Sequence, residues 1–64
     1  MIVMERLMTP EEVAEALQMH VETVKRLLRQ GKLPGFKVAG QWRVSPSELK
    51  TFLEEQRKKE TKEN

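Results

Sequence analysis

Two short stretches of this chain carry the same helix-starting device. In Met8-Thr9-Pro10-Glu11-Glu12 a Thr is followed by Pro and, three residues on, by Glu; in Val44-Ser45-Pro46-Ser47-Glu48 a Ser stands in the place of the Thr. A Ser or Thr hydroxyl at an N-cap accepts from the backbone N–H three residues later, and the Glu at that later position reaches back to the cap's own N–H. Pro suits the first helical position, where a missing N–H removes no hydrogen bond. Met8 and Val44 each precede a cap, where an apolar residue can staple against Val13 and Leu49 respectively. Helices are therefore expected to begin at residues 10 and 46, and the rest of the fold must be built around these two fixed points.

The first helix is predicted over 10–17. Val13, Ala14 and Leu17 form its apolar face with Ala16 at the margin, while Glu11, Glu12 and Glu15 point to water. A second helix follows in HVETVKRLLRQG, residues 20–31, where Val21, Val24 and Leu28 recur at three- and four-residue spacing. Gly31 is placed as a left-handed C-cap. Opposite the stripe lie Glu22, Thr23, Arg26, Arg29 and Gln30, flanked by Lys25 and Leu27. Only Gln18, Met19 and His20 separate the two helices, which is the outline of a helix-turn-helix. In the last helix Leu49, Phe52 and Leu53 make one stripe, and Glu54 to Lys58 and Glu55 to Lys59 are oriented as favourable pairs four apart. No apolar residue follows Leu53, so the end is expected to fray and residues 57–64 to form a charged, disordered tail. That leaves an N-terminal arm over 1–8 and a domain over 9–56.

Residues 36–44 alternate as two strands. A two-residue loop of Ala39 and Gly40 would set Lys37 opposite Trp42 and Val38 opposite Gln41, mixing polar and apolar residues on each face. A three-residue loop, 39–41, sets Val38 against Trp42, Phe36 against Val44 and Lys37 against Arg43. The second register is the one expected, because it gives an apolar face that can close over the helices. It also gives a cationic face whose like-charge pair invites an anionic partner.

A chain of 64 residues is one small domain that buries only about 60% of the surface its unfolded chain exposes. It has no Cys and a single His, so neither disulfides nor a zinc site staple it. Met1, Met4, Met8 and Met19 read as gap-fillers and chain-start residues. Neither a signal peptide nor a membrane span is legible, and a cytoplasmic location is expected. No Asp and no Tyr occur, and Ser45 and Ser47 are accounted for by the helix start, so no catalytic constellation is expected. The net charge of +2 conceals a concentration of cations. Residues 18–45 hold Lys25, Arg26, Arg29, Lys32, Lys37 and Arg43 against Glu22 alone, a net +5, while residues 1–17 sum to −3 and residues 46–64 to zero. A focused basic segment of this kind fits a polyanion.

Taken together, LMTPEEVAEAL (7–17), VETVKRLLRQGKLPGFKVAGQWRV (21–44) and SPSELKTFL (45–53) resemble the excisionase-type, MerR-like winged helix-turn-helix family. The resemblance implies a mostly α fold with a small β-hairpin: helix, turn, recognition helix, two-stranded wing and C-terminal helix. It implies that the second helix enters the major groove of duplex DNA while the wing lies against the backbone or minor groove. Carried over by position, base or phosphate contacts fall to Glu22, Thr23, Lys25, Arg26 and Arg29, and wing contacts to Lys37, Gln41 and Arg43. Where the family usually reads Leu-Gly-Val-Ser, this chain has Leu17-Gln18-Met19-His20. Gln18 must then take a left-handed conformation that Gly adopts freely, and His20 replaces the capping Ser.

The expected function is that of a small, non-enzymatic DNA-binding protein, acting as a recombination directionality factor or a transcriptional regulator. No cofactor, metal or small-molecule effector is expected, and several copies along DNA would supplement the weak binding of one. Two alternatives stay open: the DNA-targeting module of a larger recombinase or transposase, and a protein–protein adaptor of the anti-repressor kind.

Overall fold

Thr9 has an extended backbone, its hydroxyl accepts from the Glu12 N–H at 3.1 Å, and the Glu12 carboxylate accepts from the Thr9 N–H at 2.9 Å. In the computed structural model, which describes residues 6–62 and their side chains as far as Lys59, this closed capping box starts α1, Pro10–Leu17. The elements that follow are α2, Val21–Arg29; β1, Phe36–Val38; β2, Gln41–Arg43; and α3, Pro46–Lys62. The arm residues 1–5 and the chain end 63–64 lie outside the described residues.

Both helices of the first pair end in the same way. At the end of α1 the Gln18 N–H donates to the Glu15 carbonyl at 3.2 Å and the Met19 N–H to the Ala14 carbonyl at 2.8 Å. At the end of α2 the Gly31 N–H donates to the Leu28 carbonyl at 3.1 Å and the Lys32 N–H to the Leu27 carbonyl at 2.8 Å. These are two Schellman motifs, each turning on one left-handed residue. Gly31 takes that conformation with φ 74° and Gln18 with φ 56°. The turn of the helix-turn-helix thus keeps its geometry without glycine, at a steric cost to the Gln18 backbone.

The core consists of Val13, Ala14, Val24, Leu28, Leu33, Val44 and Leu49, with Met8, Leu17, Val21, Leu27, Trp42 and Phe52 among the half-buried residues packed around it. Each helix contributes one face at the expected spacing. Leu33, in the link between α2 and β1, completes the core although it belongs to no periodic pattern. Leu53, expected in the apolar stripe of α3, is 39% exposed. α3 itself continues to Lys62, through the first part of the stretch expected as a tail. Its residues 54–59 are exposed, and the stretch 54–62 is mostly Glu, Gln, Arg and Lys, which are good helix formers with four-apart pairing available, so the helix continues on its own propensity.

The wing departs from the expected register. Phe36 pairs with Arg43, Lys37 with Trp42 and Val38 with Gln41, joined by the two-residue turn of Ala39 and Gly40. Both turn residues have positive φ, 52° and 77°, as a type I′ turn requires, and that turn's twist matches the strands it joins. The expected pairing of Lys37 with Arg43 is absent: the two cations stand on opposite faces. The segregated apolar face is absent too. The two-residue turn sets this register, and the other edge of β2 shows why the core tolerates it. Its continuation at Val44 pairs with Met8, through Met8 N–H to Val44 carbonyl at 2.8 Å and Val44 N–H to Met8 carbonyl at 2.9 Å. This bridge fixes β2 with Val44 buried and Trp42 half-buried against the core. The core needs no apolar face from β1, which is left as the outer strand with Phe36 42% and Val38 48% exposed.

Candidate nucleic-acid interface

α2 owes its two faces to helical periodicity. Val24 and Leu28 are fully inside, and Val21 and Leu27 are half-buried. On the opposite side Glu22, Arg26, Arg29 and Gln30 are exposed, while Thr23 and Lys25 are half-buried at the flanks. Glu22 lies in the first turn and Arg26 and Arg29 in the last, the order that the helix dipole favours. His20, at the cap position with φ −72° and ψ 140°, makes no side-chain capping bond and is exposed. The five α2 residues implied by the family resemblance therefore occupy the solvent face and flanks of a single short helix. α1 packs behind it through Val13 and Ala14.

The wing treats its three implied residues differently. Lys37 stands opposite Trp42, with its Nζ 5.4 Å from the centre of the indole ring, a cation–π contact. Gln41 and Arg43 share the other face with Phe36 and Val38, since directly paired strand residues point the same way and alternate residues repeat a face. Arg43 donates from Nη2 to Gln41 Oε1 at 2.8 Å and from Nη1 to the Trp42 carbonyl at 2.7 Å. The resemblance placed Lys37 with Gln41 and Arg43; the register separates it from them. Phe36 and Val38 join the outer face unexpectedly. Only the Ala39-Gly40 pair could have signalled it, and Ala is a weak marker of a left-handed turn position.

The wing is held on the helix pair by close approach at Gly35. A Cβ there would collide with the Leu28 side chain of α2 and lie 3.2 Å from the Arg43 carbonyl. Glycine lets the strand entering the wing sit directly on the inner face of α2.

A tight helix pair, a two-stranded wing and a C-terminal helix around one core define a winged helix-turn-helix, a class of small DNA-binding domain. A family model described as a helix-turn-helix domain matches residues 7–57, most of the chain, and the chain belongs to that family. No curated protein and no solved structure matches it. Among the described residues no helix is long and apolar enough to cross a membrane.

Proposed function

We propose that this protein binds duplex DNA by laying α2 in the major groove with the wing beside it, and that it acts without catalysis. Its role is that of an excisionase-type recombination directionality factor or a MerR-like transcriptional regulator, in the cytoplasm and with no small-molecule effector. The observation that carries this reading is the solvent face of α2. Arg26 and Arg29, with Glu22 and Thr23 beside them, are presented on a helix whose other side is locked into the core. Arg pairs best with guanine O6 and N7, and Glu accepts from cytosine N4, so Arg26 and Glu22 with Thr23 read base edges. Lys25, Arg29 and the wing hold phosphates, which set position and most of the affinity. A domain this small offers few such contacts, and further copies along the DNA supply the rest.

Fluorescence anisotropy on a mixed-sequence duplex across a salt series tests this. About five phosphate contacts at roughly 0.9 each give a log–log slope near −4.5. Arg26→Ala should weaken binding to a preferred site by about 1–3 kcal/mol and relax base preference there. A folded chain that fails to bind duplex even at low salt sinks the reading and leaves the protein–protein adaptor in its place.

A further inference from the structure

We infer that Gln41 is a positioning residue for DNA binding: it fixes the guanidinium of Arg43, and Arg43 is the wing's contact with the DNA backbone. This rests on the DNA-binding reading above. Arg43 is half-buried, and an Arg with its guanidinium free ordinarily samples many rotamers, so a partner that immobilises it must offset that lost freedom. Here the ordering is done in advance. Two of the five guanidinium N–H groups are engaged, one by the Gln41 side-chain oxygen at 2.8 Å and one by the Trp42 carbonyl at 2.7 Å. Both acceptors belong to β2 itself, so the lock moves with the strand as one piece.

The chemistry of the acceptors matters as much as their placement. A carboxylate would hold the guanidinium equally well and cancel its charge. An amide oxygen and a backbone carbonyl hold it without neutralising its charge, and three of its five N–H groups take no part in these two bonds. The surroundings suit the sugar–phosphate backbone as well. Phe36 stands directly across the ladder on the same face, and Val38 is diagonal to Arg43; both are exposed. Deoxyribose presents C–H surface between its phosphates, and a fixed cation flanked by apolar side chains matches that alternation. Lys37 is on the other face, over the Trp42 ring, and is assigned no backbone contact.

The test is a double-mutant cycle read by anisotropy on duplex DNA, using Gln41→Met, Arg43→Ala and the two together in the full chain. Far-UV circular dichroism and thermal melts confirm that each variant is folded. Gln41→Met keeps side-chain length and removes the acceptor. It should weaken binding about two- to tenfold with the salt slope unchanged, because the cation is still present and only its ordering is lost. Arg43→Ala should weaken binding further and make the slope shallower by about one unit. Adding Gln41→Met to Arg43→Ala should then change nothing. Gln41→Glu should bind more weakly than Gln41→Met, because it keeps the lock and neutralises the charge. An equal loss from Gln41→Met in both backgrounds would mean that Gln41 touches DNA itself, and overturns the inference. An Arg43→Ala chain that binds with unaltered affinity and slope also overturns it while leaving the α2 reading intact. A folded wild-type chain with no duplex affinity removes both.

Discussion

In α2 the outer face of Glu22, Arg26 and Arg29 and the inner face of Val24 and Leu28 are kept apart; in the wing each face carries both kinds of residue. The helix repeats every 3.6 residues whatever its ends do, because its hydrogen bonds are internal. A strand's faces are set from outside, by the turn that fixes its register, and a slip of one residue exchanges them all. Segregation in α2 is thus a property of the segment, whereas composition of the wing faces is a property of Ala39 and Gly40. The two regions meet where Gly35 lies on Leu28.

The most disruptive way to break this relation is Gly35→Ala. The new methyl group meets the Leu28 side chain and the Arg43 carbonyl, so the wing must lift from α2 or both must shift. Overpacking of this kind costs about 1–3 kcal/mol, seen as a lower midpoint in urea unfolding. An unchanged midpoint would mean that the wing is not seated on the helix.

A smaller effect should come from exchanging the two helix ends. Gly31→Ala introduces no collision, since nothing lies within 4 Å of its Cβ position, so its cost is conformational, about 1 kcal/mol. Gln18→Gly should move stability in the opposite sense by about 0.5–1 kcal/mol, relieving a left-handed non-glycine residue. Thermal melts of opposite sign would establish that the two Schellman turns differ only in the residue at their centre. The smallest expected change is Ala39→Asn, which suits a type I′ position. It should stabilise by roughly a few tenths of a kcal/mol, with stronger cross-strand nuclear Overhauser effects between Lys37 and Trp42. Unchanged signals and stability would show that the register does not depend on this turn.

These differences also explain what could be read in advance. The start of α1 at Pro10, the cap at Thr9, the end of α2 at Gly31 and the start of α3 at Pro46 are written in local side chains acting on local backbone, and each appears where expected. The left-handed Gln18 is unmarked by its own chemistry and legible only through the family pattern. The register of the wing is set by Ala39 and Gly40, and Ala carries little side-chain signal for the left-handed conformation it takes there, so the sequence favours the longer loop. For the candidate site, the α2 face of Glu22, Thr23, Arg26, Arg29 and Gln30, with Lys25 at its flank, follows from periodicity, whereas the choice of Glu22, Thr23, Lys25, Arg26 and Arg29 as DNA contacts is implied only by the family resemblance. The lock between Gln41 and Arg43 follows from neither, since it required the actual rotamers on β2.

The bridge between Met8 and Val44 has a consequence for how the molecule comes into being. The contacts of α1 with α2 are local, and loop closure between them is rapid once both have been synthesised. Met8, by contrast, must wait for Val44, which is made after both helices, the link and the wing. Val44 is also one of the fully buried core residues, with Val13 and Val24. On the ribosome the helix-turn-helix therefore has an open side until Val44, two residues before α3, emerges. That late residue joins the beginning of the domain to the segment that leads into its last helix.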